Sequence, residues 1–175
     1  GGFAGRLGGH SGALTVSKIR ATGNVNVTND YAGGLAGYAG GAAVNISNSY
    51  ATGSVTAGDD YAGGLIGRFR QSSDISNSFS TGPVAGDEYI GGLIGSQEDS
   101  GTTVINSFST GDVTGNTNYG RLIGGQTGSP TLTTSYYDSA SVCGGACNAL
   151  GTGQAISLFY DDANAPLSSW DFTTI

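Results

Sequence analysis

The sequence predicts an all-β fold, a parallel β-solenoid (β-helix) of about five coils with about three short strands per 28–32-residue coil. Three observations lead there. A glycine-rich heptapeptide recurs as YAGGLAG at 31–37, YAGGLIG at 61–67 and YIGGLIG at 89–95, and YGRLIG at 119–124 reads as a copy one residue short. Its large apolar residue falls at Phe3, Leu35, Leu65, Leu93 and Leu122, in steps of 32, 30, 28 and 29 residues. Between copies, β-branched and aromatic residues recur at every second position and no helical period is found. A unit this short cannot bury its apolar face alone, so it must stack on its neighbours. Successive coils would then pair as parallel strands about 4.8 Å apart. Propeller blades need four strands and about 40 residues, and leucine-rich horseshoes need another leucine spacing.

Within a coil the first strand is GGLIG. Its glycines read as sharp corners with positive φ, which only glycine adopts cheaply. Its leucine should point inward and stack on the leucine of the next coil. The following residue is Ala4, Ala36, Ile66, Ile94 and Ile123 in turn. Adjacent strand residues face opposite sides. Either a bend turns both residues inward, or Ile66, Ile94 and Ile123 form an outward docking stripe. The second strand resembles ISNSYATG (46–53), with an aromatic column Tyr50, Phe79, Phe108 and Tyr136. Before it stands an asparagine column, Asn48, Asn77 and Asn106, read as a structural ladder of stacked amides. The third strand resembles SVTAGDDYA (54–62) and carries Val25, Val55, Val84 and Val113. A tyrosine column, Tyr31, Tyr61, Tyr89 and Tyr119, leads into the next copy. The repeats span 1–138. Residues 139–175 read as a cap, because the end of a solenoid exposes strand edges and core. A short helix is expected over 153–160, with Trp170 and Phe172 plugging the last coil.

Composition narrows the function. Glycine contributes 33 of 175 residues without a Gly-X-Y period, which excludes collagen. Six basic residues against 13 acids, a net charge of −7, argue against nucleic acid and anionic lipid as partners. The charge is uneven: Arg6, Lys18, Arg20, Arg68 and Arg70 lie in residues 1–70, and only Arg121 follows. Along a solenoid that asymmetry reads as drift on a solvated surface or as an axial dipole. No run of about 18 apolar residues is present, so membrane insertion is not expected. The chain opens inside a repeat, GGFAG, and reads as a processed product or a piece of something longer.

No catalytic constellation is found. His10 is the sole histidine and Lys18 the sole lysine, so a catalytic triad has almost no material. Asp59-Asp60 and Asp87-Glu88, with Asp30 and Asn118 in line, share one corner. Stacked carboxylates there are either a solvated polar corner or oxygen ligands for Ca²⁺. No other cofactor is expected. Cys143 and Cys147 in CGGAC read first as a local disulfide, then as free thiols, and only remotely as a metal site.

GGLIG, ISNSYATGSV and YAGGLIG together resemble the GLUG repeat of large bacterial surface proteins, among them adhesins and the non-catalytic region of IgA-specific metallopeptidases. The tail, with SYYDSAS (135–141) and GTGQAISLF to SSWDFTTI (151–175), is similar to the segment that closes such arrays. The first copy departs most, with SKIRATG (17–23) in place of SNSYATG. The resemblance implies an extracellular, secreted or cell-surface protein of bacteria without catalytic residues. Its expected role is a structural or adhesive module whose partners are further repeats, other copies or a host-surface ligand. A fibre subunit assembling through end-to-end or lateral contacts is the alternative. A less favoured third reading is an ice-binding face bearing Thr22, Thr52, Thr81 and Thr110.

Overall fold

The computed structural model describes residues 1–9 and 11–160. The chain winds as a right-through parallel β-solenoid, every strand pairing in parallel with the equivalent strand one coil away. Each coil visits five faces. The first face carries Ala4–Leu7, Ala36–Ala39, Ile66–Phe69, Ile94–Gln97 and Ile123–Gln126. The second carries Leu14–Ser17, Val44–Ser47, Asp74–Ser76, Thr103–Ile105 and Thr131–Thr133. The third holds six strands, Arg20–Ala21, Tyr50–Ala51, Phe79–Ser80, Phe108–Ser109, Tyr136–Asp138 and Thr152–Gln154. The fourth holds Val25–Val27, Val55–Ala57, Val84–Ala85 and Val113–Thr114. The fifth holds Ala32–Gly33, Ala62–Gly63, Glu88–Gly91 and Thr117–Gly120.

Five short strands per coil thus replace the three that the sequence suggested. The second expected strand divides at its asparagine, where Asn48, Asn77 and Asn106 have φ of 49°, 46° and 46°. The third divides at the tyrosine corner, where Tyr31, Tyr61 and Tyr89 have φ of 66°, 63° and 58°. A left-handed residue disrupts the regular strand geometry. The strand ends before Asn48, Asn77 and Asn106 and before Tyr31 and Tyr61, whereas Tyr89 is carried within Glu88–Gly91, after a break at Gly86–Asp87. The first-face register follows the repeat: Ala4 pairs with Ala36, Ala36 with Ile66, Ile66 with Ile94 and Ile94 with Ile123.

Of the two readings open for Ile66, Ile94 and Ile123, the inward bend holds and the outward docking stripe does not. Ile66, Ile94 and Ile123 are all 0% exposed, as are Leu65, Leu93 and Leu122. A bend spans Gly64–Leu65 and its counterparts, so the leucine and the isoleucine lie on two sides of a corner rather than in one strand. Both therefore point inward.

The interior has two lobes. The larger packs Leu35, Leu65, Leu93 and Leu122 with the isoleucine column and with Val44, Ile46, Ile75 and Val104. The smaller packs Val25, Val55, Val84 and Val113 against Ala32, Ala62 and Ile90. Between them the coil is pinched. Ala51, Ser80 and Ser109 of the third face lie directly against Gly34, Gly64 and Gly92. Ser80 Oγ donates to Gly92 O, and Ser109 Oγ to Arg121 O.

This waist gives the glycine pair a different reason from the one expected. Gly33, Gly34, Gly63, Gly64, Gly91 and Gly92 are absent from the positive-φ glycines. Space decides instead: a Cβ on Gly64 would overlap Gly92 O and lie 2.7 Å from the Ser80 side chain. The left-handed positions at the fifth-face and third-face corners fall mainly to tyrosine and asparagine, while glycine takes them between the first and second faces, at Gly8, Gly12, Gly40, Gly41 and Gly101. Asparagine tolerates that region, whereas tyrosine is held there against its preference.

The fourth copy is not one residue short. Glu88 pairs with Thr117, Ile90 with Tyr119 and Gly91 with Gly120, so Asn118 takes the position of Tyr89. Asn118 adopts the same left-handed φ, 49°. Tyr119 therefore leaves the tyrosine column and packs on the smaller lobe. Arg121 occupies the place of the second glycine.

Beyond 138 the chain adds a shortened turn. Cys143 bridges to Val113 and Asn148 to Gly120, above the fourth and fifth faces. Thr152–Gln154 then lands on Tyr136–Asp138, only sixteen residues after its partner. The first and second faces are skipped. The chain crosses the core at Leu150 and Gly151, over Leu122. Asn148 Nδ2 donates to Ile123 O and Gly124 O at 2.7 and 2.6 Å, pairing carbonyls that the skipped strand would have met. The expected helix over 153–160 is a strand followed by a 3-10 turn at Ile156–Tyr160, whose Phe159 packs on Phe108. Trp170 and Phe172 lie outside the described residues.

Candidate functional site

Stacking turns each repeated residue into a column, and the columns are the candidate surfaces. On the third face the rings of Tyr50, Phe79 and Phe108 stack at 4.9 Å between neighbours, almost parallel. At the fifth corner Tyr31, Tyr61 and Tyr89 stack at 5.1 and 5.0 Å. The asparagine ladder forms as expected: Asn77 Nδ2 donates to Asn48 Oδ1 at 3.3 Å and Asn106 Nδ2 to Asn77 Oδ1 at 3.2 Å.

The adjoining serine ladder was missed. Ser49, Ser78, Ser107 and Ser135 are buried. Ser49, Ser78 and Ser107 accept the amides of Ile19, Ser49 and Ser78 from the preceding coil. Each of the four donates to the carbonyl two residues earlier. Its signal was the NS dipeptide of three copies, Asn48-Ser49, Asn77-Ser78 and Asn106-Ser107, read for its asparagine alone.

The acidic corner is hydrogen-bonded from within by uncharged donors. Asn118 Nδ2 donates to Glu88 Oε1 at 2.7 Å, Asn116 Nδ2 to Asp87 Oδ1, and the Asp60 amide to Asp30 Oδ1 at 3.1 Å. Asp59 and Asp87 are exposed, and Asp60 and Glu88 half-buried. Burial, then the charges of Glu88, Asp30, Asp87 and Asp59, push the Asp60 carboxyl above the usual range. Among the described residues no three His, Cys, Asp or Glu side chains converge as a cation site. Cys143 and Cys147 are joined as a disulfide, with Cα atoms 6.2 Å apart. His10 lies outside the described residues.

Thr22 and Thr52 are exposed, and Thr81 and Thr110 half-buried, in one column. The neighbouring fourth-face column reads Asn26, Thr56, Ala85 and Thr114, so the second row of threonines is interrupted.

A groove of about 450 Å³ opens on the first face, lined by Gly5, Arg6, Tyr31, Tyr38, Arg68 and Arg70. Its floor is Arg6, Tyr38 and Arg68, in register along the first face; the same column continues beyond the groove as buried Ser96 and Gly125. Arg68 holds Glu98 with two bonds, Nε to Oε1 at 2.6 Å and Nη2 to Oε2 at 2.7 Å. Its Nη1 donates to Tyr31 Oη at 3.0 Å. The bonds to Glu98 hold the Arg68 guanidinium charged well above its ordinary value. Sequence reading counted these arginines only in the charge balance. Reading down the residue after the last glycine of each motif would have found the column.

Stacked ladders on five faces around one continuous interior define a parallel β-solenoid repeat protein. The family model of the GLUG motif matches two stretches of the chain, residues 28–56 and 86–114. Each match covers one coil, and both end on the same fourth-face column, at Thr56 and Thr114. No curated protein and no solved structure matches the chain.

Proposed function

We propose that the chain is a non-catalytic structural and adhesive module of a bacterial surface or secreted protein, working outside the cell as a stiff spacer. The observation that carries the reading is the unbroken register of parallel ladders from coil to coil. Five coils at about 4.8 Å per coil make a rod of about 24 Å. Its length scales with the number of repeats, and its sides are paired by stacked side chains instead of loose loops. The disulfide at Cys143–Cys147 suits an oxidising compartment. Partners would be further coils, other copies, or ligands on a host surface.

Two measurements test it. In single-molecule pulling, the chain held between handles should resist until it opens in one cooperative event; coil-by-coil extension at low force would remove the spacer role. Antibody against the folded rod should label intact producing cells. Labelling that needs permeabilised cells would overturn the extracellular placement.

A further inference from the structure

We infer that the first-face groove is a binding site for an anionic saccharide, with a sugar carboxylate on Arg6 and the sugar ring against Tyr38 and Tyr31. This deepens the adhesive half of the proposed function, and its failure would leave the spacer half standing.

Three cations line the groove in a chain of net charge −7. Their partners are unequal. Arg68 is held by Glu98, and Arg70 Nε faces Glu98 Oε2 at 3.3 Å and Asp99 Oδ2 at 3.7 Å. Arg6 has no acidic partner among the described residues; it lies over the Tyr38 ring, 4.9 Å from the centroid. An exposed guanidinium over an aromatic ring, with no hydrogen-bond acceptor among the described residues, is suited to a carboxylate.

Tyr31 and Tyr38 meet edge to face, centroids 6.2 Å apart and planes at 84°, so they form an aromatic corner beside that cation. The negative ring faces attract the weakly positive C–H groups of a sugar. Arg68 pins the corner by its bond to Tyr31 and its position over the Tyr61 ring, 5.0 Å from the centroid. The volume, about 450 Å³, lies in the range of small-ligand sites.

The groove disfavours a peptide. Most of its floor offers a peptide side chains only, because Ala36–Ala39 and Ile66–Phe69 pair on both sides; the unpaired strand edge is confined to Ala4–Leu7 at the end of the sheet. It also disfavours nucleic acid. Residues 71–175 carry ten acids against Arg121, and a long polyanion would run onto that half.

The test is calorimetric titration of the full chain with tri-galacturonate, with its carboxyl-reduced neutral counterpart, and with a glutamate-rich peptide. Tri-galacturonate should bind, weaken with added salt, and bind about tenfold better than the neutral sugar. Arg6→Gln and Tyr38→Ala should each weaken it about tenfold with the melting temperature unchanged, while Arg20→Gln, outside the groove, should not. Absence of binding at millimolar sugar would overturn the inference. So would equal affinity for the neutral sugar, a peptide bound as tightly, or an Arg6→Gln variant that binds like the parent.

Discussion

Gly64 shows how much one missing methyl group governs in this chain. The second glycine of each motif faces a carbonyl of the next coil on one side and Ala51, Ser80 or Ser109 on the other. Gly64→Ala should therefore destabilise the fold by about 3 kcal/mol or more, since backbone, not a flexible side-chain tip, must yield. Gly9→Ala, with nothing within 4 Å of its added methyl, should change stability by less than about 0.5 kcal/mol. Urea denaturation of both variants checks the pair, and equal losses would refute the waist. The motif's spacing was plain in the sequence, but its cause was not. Composition cannot distinguish a glycine needed for φ from one needed for room. The same limit hid the tyrosine corners, because a tyrosine in the left-handed region carries no local signature and is held there by stacking. Arg121 confirms the spatial reading. It stands where the second glycine would, in the coil followed by the shortened turn instead of a full coil, and its Nε donates to Ser141 O of that turn.

Between residues and rod lies the column, the unit in which interactions repeat. A favourable contact is multiplied by stacking, and so is an unfavourable one. The acidic corner brings carboxylates of adjacent coils together, and Asp60 bears the consequence. Its native carboxyl titrates above the unfolded value, so the native state binds the extra proton. Stability then rises as pH falls through the raised value, and the ionised group destabilises at neutral pH. Asp60→Asn should raise stability at pH 7 by about 0.5 kcal/mol, small because solvent screens a half-exposed corner. The gain should vanish below the unfolded carboxylate range; thermal melts across pH would refute it if the gain grew on acidification. The columns themselves were largely legible from spacing. Failures came where one residue's direction mattered. Alternation left an outward Ile66 open beside an inward bend, and the bend at Gly64–Leu65 decides for the second. A one-residue displacement of tyrosine, Asn118 for Tyr89, looked like a deletion until hydrogen-bond register fixed it. The first-face groove was hidden because Arg6, Tyr38 and Arg68 are chemically unlike, and a repeat search favours likeness.

The whole molecule behaves as a stack whose units are exchangeable only in register. Ile66 pairs with Ile94, so removing residues 66–93 joins Leu65 to Ile94 and deletes one coil. That variant should remain folded, with cooperative unfolding at a lower denaturant midpoint. Removing 66–79 joins a first-face position to a third-face position and should abolish the fold. Circular dichroism of both would contradict the stack if they behaved alike. The shortened turn gives the stack a direction. A complete coil is a template that offers five rows of backbone groups to whatever settles on it. The turn over residues 139–154 offers the third, fourth and fifth rows and crosses the mouth of the large lobe, with Asn148 occupying carbonyls of the first. A further coil laid on that side would find two of its five tracks missing. The described rod is thus polar: a coil inserted within the array meets five tracks on each side, whereas one laid on the turn over 139–154 meets three.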